Sequence, residues 1–292
     1  MTSPATHRKA LLLMISAASL WSIAGVLTRQ LHAAHGFEVT FWRSLFAGLF
    51  VAGAMLWQHR SQALGKVAAA GRFGLISGVM WAVMFCCFMI ALTMTTVANT
   101  LIVMSVTPLL TAVLAWMILH QKIVLRTWLA IAVALAGMVW MFAGGMSSVD
   151  ATGLAGMLVA TGIPIAMSVN VIVLKKAGKS LDLIPAVLLG AVISGVLMLP
   201  LAMPLQASPH DVAILAVLGV LQLGFPCMLM VSASRHLSAP EISLLGLLEV
   251  LLGPIWAWLG AGEVPAHETL AGGGIVLAAL VFNELLALKE DV

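Results

Sequence analysis

Phe73–Met94 reads FGLISGVMWAVMFCCFMIALTM, 22 residues without one charged side chain. As an α-helix rising 1.5 Å per residue, this stretch is about 33 Å long. That matches a bilayer hydrocarbon core of about 30 Å, which takes roughly 20 apolar residues to cross. A soluble core helix is seldom so long and apolar on every side. The surroundings it was built for are lipid and other helices.

Working outward, the whole chain carries the same signature. Of its 292 residues 62% are apolar and 9% charged, with a mean hydropathy of +1.12. A soluble domain carries about 25% charged residues, so this chain has too few charges to wet a globular surface. Ten runs are long enough to span: Ala10–Thr28, Glu38–Trp57, Phe73–Met94, Thr96–Leu119, Thr127–Ala143, Gly153–Leu174, Ile184–Met203, Val212–Ser234, Ala239–Leu259 and Thr269–Leu288. The expectation is an all-α integral membrane protein of ten transmembrane helices.

The charges give an orientation. With the N-terminus in the cytoplasm and ten alternating spans, the cytoplasmic segments hold Arg8, Lys9, Arg60, Lys66, Arg72, Lys122, Arg126, Lys175, Lys176, Lys179, Arg235 and Lys289. That is 12 of the 14 basic residues; Arg29 ends the first span and Arg43 lies inside the second. Asp150, Asp211, Glu263 and Glu268 fall outside. This is the positive-inside pattern, and it places both termini in the cytoplasm of a multi-pass protein, expected in the cell inner membrane. The net charge of +3 and pI near 9.0 therefore reports topology and argues against nucleic-acid binding. His7-Arg8-Lys9 before the first run resembles a signal peptide, but the run is long and nine more follow, which favours an uncleaved first helix. Cys86, Cys87 and Cys227 lie in apolar stretches with no CxxC spacing, which argues against a disulfide framework or a zinc site.

Ten spans divide into two fives, at residues 1–147 and 148–292. A second odd-numbered set inserts upside down relative to the first, the inverted-repeat plan of many transporters. A shift of 142 positions pairs Trp116 with Trp258, Ala115 with Ala257, Ala91 with Ala233 and Thr127 with Thr269.

Several motifs resemble a known family. They are Leu20-Trp21-Ser22, Phe41-Trp42-Arg43, Ala98…Pro108…Ala115-Trp116, and the closing Glu249-Val250-Leu251-Leu252-Gly253-Pro254-Ile255-Trp256-Ala257-Trp258…Glu263 followed by Gly272–Leu280. In this order they are similar to the EamA-type branch of the drug/metabolite transporter superfamily. The resemblance implies two inverted five-helix halves around a central cavity, and efflux of amino acids or other metabolites. One departure stands out. The family's acidic residue at the end of the fourth span is replaced here by Ile118-Leu119-His120-Gln121-Lys122, whereas Glu263 keeps its counterpart in the second half.

Intramembrane ionisable groups cost about 2.5–3.5 kcal/mol at a helix centre on insertion scales, so they mark candidate function. Glu249 lies ten residues into the ninth run, about 15 Å deep. Gly246, Gly253 and Gly260 share its stripe, which predicts close approach of a helix or a ligand. Its readings are a proton-coupling or substrate-amine site, or a carboxyl serving as interhelical hydrogen-bond glue. Arg43 is placed to hold a substrate carboxylate, to pair with Glu249, or to snorkel to headgroups. Nine Trp, ten Phe and no Tyr are present; Trp57 and Trp128 fall at interfaces, Trp21 and Trp81 nearer mid-span. The amides Asn99, Asn170, Gln222 and Asn283 each need a partner. Pro108, Pro164, Pro226 and Pro254 predict kinks, with Pro108 and Pro254 taken as gating positions. Gly74-x-x-x-Gly78 and Gly272-Gly273-Gly274 read as close helix packing rather than phosphate loops.

The expected activity is secondary transport of a small organic metabolite by alternating access, with export of an amino acid, aromatic ones first, as the leading reading. Its partners are the small-molecule substrate and the lipid bilayer, with proton coupling open, no cofactor, and an oligomeric state compatible with a monomer. The alternative is an integral membrane enzyme acting on a lipid or lipid-linked substrate. Clustered carboxylates or paired histidines, which such chemistry needs, do not occur within any run. A scaffold would not need Glu249 and Arg43 in its spans, and no repeated filter loop points to a channel.

Overall fold

A computed structural model of the chain describes residues 4–28, 30–34, 36–95, 97–142, 151–178, 181–261 and 267–290. Every element among them is helical. The first half comprises α1 (Pro4–Trp21), α2 (Ala24–Thr28), α3 (Gly36–His59), a 3₁₀ turn and α4 (Ala63–Ala69), α5 (Gly71–Met94), α6 (Val97–Met104), α7 (Thr107–Leu119) and α8 (Leu125–Phe142). The second comprises α9 (Ala151–Ala160), α10 (Gly162–Ala177), α11 (Ile184–Ala202), α12 (Pro209–Val217), a π-helical segment (Leu218–Gly224), α13 (Phe225–Ala233), α14 (Ala239–Gly246), α15 (Leu248–Ala261) and α16 (His267–Glu290).

Helices fill each of the ten apolar runs, and among the described residues six stretches are long and apolar enough to cross a membrane by themselves. Breaks shorten two of the other runs. The fourth run breaks at Ser105-Val106 and the ninth at Leu247, leaving shorter pieces. The first breaks at Ser22-Ile23 and the sixth at Thr161. The breaks fall in the first and fourth runs of one half, and in the first and fourth of the other.

Prolines explain only part of this. Pro108 enters the first turn of α7, directly after a break, where its missing N–H costs nothing. Pro226 likewise enters α13 directly after the π segment. Pro254 does not interrupt its helix: α15 runs through it, and the break comes seven residues earlier, at Leu247. Three of the four breaks instead carry a hydroxyl turned back on the preceding turn. Ser22 Oγ donates to the Ser19 carbonyl at 2.6 Å, Thr107 Oγ1 to that of Met104 at 2.5 Å, and Thr161 Oγ1 to that of Leu158 at 2.6 Å. Such back-bonding competes with the helical ladder and bends it.

The most extensive helix contacts are α3 with α11, α8 with α16, and α5 with α10 and α11. Trading the two halves maps the α3–α11 and α8–α16 contacts onto themselves and pairs several others with one another. The α5–α10 contact corresponds to α13–α1, α5–α11 to the π segment on α3, and α7–α10 to α15–α1. At the α5–α11 crossing a Cβ on Gly190 would stand 2.4 Å from Trp81 Cβ, and one on Gly78 would stand 2.8 Å from Leu189 Cβ. The close packing expected at Gly78 is present.

The loops gather at two ends. At one, buried Glu38 accepts the backbone N–H groups of Gln206 (2.9 Å) and Ala207 (2.8 Å) through Oε1. Fully buried Asp211 accepts those of His32 (2.9 Å), Ala33 (3.0 Å) and Ser208 (3.2 Å). At the other, Asp182 takes Arg235 Nη2 at 3.0 Å and faces His59 at 3.9 Å, while Lys175 donates to the Ser234 and Leu237 carbonyls.

Candidate functional site

The broken helices surround a cavity in the middle of the bundle. It holds about 810 Å³ of empty space, its open side included. Its wall includes the last residue of α1 (Trp21) and residues on both sides of the α6/α7 break (Met104, Thr107). It also includes Ile163 at the start of α10, and Gly246 and Leu247 at the α14/α15 break. Helices that stop at mid-depth expose backbone polar groups where a solute can reach them, the arrangement tolerated in membranes only along a cavity.

Arg43 is the best-defined group. It is 4% exposed, so it points inward and does not snorkel to headgroups. Its Nη2 donates to Gln222 Oε1 at 2.7 Å, and its Nη1 lies 2.7 Å from the Met89 sulfur. Gln222 in turn donates through Nε2 to the Trp21 carbonyl at 3.2 Å, a group released by the end of α1. The first, second and eighth runs are thus joined through one polar chain. Gln222 reaches Arg43 because it sits in the π segment, whose widened turn shifts side-chain register and is frequent at functional sites. That segment lies on the backbone of α3. A Cβ at Gly219 would stand 2.7 Å from the Arg43 carbonyl oxygen and 2.6 Å from Phe46 Cβ. Gly219→Ala is therefore expected to destabilise the protein by about 1–3 kcal/mol, because backbone must move. Gly253→Ala, where nothing lies within 4 Å, is expected to be neutral. Thermal unfolding of both variants in detergent checks the contrast.

Glu249 lies at the start of α15 on the same cavity as Arg43, and the two do not form an ion pair. The direct pairing considered from sequence is absent. The carboxyl makes no hydrogen bond to any described residue, so the hydrogen-bond glue reading has no partner here. Nor does a helix close on its glycine stripe: a Cβ at Gly246 would meet only Met14 Cε, at 3.9 Å. At Gly253 nothing lies within 4 Å of such a Cβ among the described residues.

Of the seven side chains singled out for substrate contact, five line the cavity: Glu249, Arg43, Trp21, Trp81 and Gln222. Two do not. Asn170 Oδ1 accepts Ser77 Oγ at 2.6 Å between α10 and α5, and Asn99 Nδ2 donates to Thr95 Oγ1 at 3.0 Å. Asn170 thus ties two helices together, whereas the Asn99 bond is local, to the residue that caps α5. Asn283 accepts Thr127 Oγ1 at 3.2 Å, joining α16 to α8. Trp57, 84% exposed, belongs to the outer surface.

Sequence reading missed the sulfur lining of Met84, Met104, Met167 and Cys227. Its only signal was a count of 18 methionines, and Met fills irregular space adaptably. Ser243, two turns before Glu249, was also missed; its hydroxyl is spent on the Pro240 carbonyl at 2.9 Å. Two donors on the wall are buried without an acceptor, Arg43 Nε and Trp81 Nε1. Leaving a buried donor unpaired costs about 1–3 kcal/mol.

Comparison with known proteins gives the same fold. One solved crystal structure superposes with a TM-score of 0.76 at 16% identity, covering 97% of this chain and 99% of the other. A search of curated protein sequences found no match. The sequence model of the EamA-like transporter family matches twice, over residues 8–143 and again over 154–284. The chain belongs to the EamA-like transporter family.

Proposed function

We propose that the protein is a secondary transporter with ten spans in two inverted halves, 1–147 and 148–292, and both termini in the cytoplasm. It exports a small amphipathic metabolite of the amino-acid type across the cell inner membrane by alternating access. The observation that carries this reading is that a buried cation, Arg43, and a carboxyl, Glu249, line one cavity. A substrate carboxylate would pair with the Arg43 guanidinium through charge-assisted hydrogen bonds. An ammonium group faces Glu249. The apolar remainder meets Met84, Phe85, Phe88 and Met167, a lining that favours aromatic or large aliphatic side chains. The matched contacts and breaks of the two halves support the inverted repeat, and the gathering of basic loops at one end supports the orientation.

The membrane-enzyme reading gains no support: among the described wall residues there is one carboxylate and no histidine. The test is efflux of a panel of labelled amino acids from preloaded proteoliposomes, with and without a pH gradient. Saturable efflux selective for zwitterions with large apolar side chains is expected. Equal movement of all solutes, or of none, sinks the proposal.

A further inference from the structure

Away from the cavity, at the end of the bundle where α3 and α12 begin, three metal-ligating side chains converge. His32 lies in the connection between α2 and α3, while His210 and Asp211 occupy the first turn of α12. One ligand atom from each lies within 4.8 Å of the others. The imidazoles of His32 and His210 stack with centroids 5.0 Å apart and planes 10° from parallel, and His210 Nδ1 is 3.8 Å from Asp211 Oδ1. We propose that His32, His210 and Asp211 form a binding site for a divalent transition-metal ion of the Zn2+ class.

Three features support this assignment. The first is the donor set. Two imidazoles and one carboxylate suit Zn2+, Cu2+ or Ni2+, whereas Ca2+ and Mg2+ require oxygen ligands throughout. Three protein ligands leave a fourth tetrahedral place for water.

The second is reach. A point equidistant from three atoms 4.8 Å apart lies about 2.8 Å from each, against about 2.0–2.1 Å for a Zn–N bond. The two histidines are exposed, so rotation about their side-chain bonds covers the difference.

The third is preorganisation. Asp211 is fully buried and held by three backbone N–H donors, one on Oδ1 and two on Oδ2, which leaves a lone pair on Oδ1 facing His210. Ligating carboxylates are commonly fixed by such outer bonds. Neither imidazole is committed to a hydrogen bond with another described residue, so both retain a lone pair for a cation.

A bound ion would join the connection between the first two runs to the start of the eighth, and so couple one half of the chain to the other. Asp211 already does this through hydrogen bonds; the metal adds a second, reversible link.

The test uses the full chain, purified in detergent without a polyhistidine tag, with Zn2+ alone as the probe. Calorimetry is expected to show one Zn2+ per chain at micromolar affinity, and saturating Zn2+ is expected to raise the Tm. His32→Ala and His210→Ala should each weaken binding at least tenfold and abolish the Tm increase, with the metal-free Tm unchanged because both rings are exposed. His120→Ala, altering an exposed histidine at the end of α7, should bind as wild type does. Absence of saturable binding by wild type, or full affinity in either of the first two variants, overturns the proposal. The readouts are equilibrium binding and stability, so the outcome is independent of whether the cavity transports anything.

Discussion

Arg43→Met is expected to lower initial efflux at sub-saturating substrate by about ten- to a hundredfold, the largest loss from any single change in the cavity. A charge-assisted hydrogen bond contributes about 1.5–3 kcal/mol, and each 1.4 kcal/mol is a factor of ten in affinity. The substitution removes the guanidinium that faces the substrate and also strands the Gln222 carbonyl oxygen, now held at 2.7 Å. Methionine keeps the length and the apolar stem. Arg43→Lys separates the two roles. It preserves the positive charge but not the planar fork that spans Gln222 and the cavity, so partial activity is expected. Substrate-binding assays on both variants, with thermal unfolding as a folding control, make the measurement. If Arg43→Met transports at the wild-type rate, the guanidinium only braces α3 against the π segment.

Glu249→Gln is expected to abolish acceleration of efflux by a pH gradient while leaving exchange of internal for external labelled solute. The amide keeps shape and polarity but can neither release a proton nor neutralise an ammonium group. Because the carboxyl makes no hydrogen bond to a described residue, the substitution costs the fold little, and a change in transport reports chemistry. The expected loss in gradient-driven rate is tenfold or more. A variant that keeps the full response to the gradient removes Glu249 from coupling. Loss of exchange together with the gradient response would place it in substrate binding alone.

The solvent for which this chain is built could be read from composition, and the helices followed from run length. What could not be read was where those helices stop. Prolines were the visible breakers, yet Pro254 lies within α15, and the break at Ser22 has no proline near it. Ser22, Thr107 and Thr161 stand at three of the breaks with hydroxyls bonded to carbonyls three residues back, yet Ser194 makes the same bond inside unbroken α11. Serines and threonines are too common in helices for that role to show in a sequence. Arg43 and Glu249 drew attention because burying a charge is costly; both line the cavity, as does the amide Gln222. The amides Asn99, Asn170 and Gln222 looked alike until their partners were known. His32 and His210 lie 178 positions apart, so no spacing motif could join them.

The paired interruptions bear on direction. Each half carries a break in its first and fourth run, around one cavity, so the hinges available to open one face have counterparts for opening the other. If, as proposed, the protein alternates access by exchanging the roles of its two halves, the two conformations would bury similar surfaces and lie close in free energy. Such a machine would have no built-in preference for inward or outward flux. The proposed export would then be a property of the cell, set by which side holds the solute at higher chemical potential and by any ion that moves with it. Reversing those potentials across a vesicle is expected to reverse the net flow through the same protein.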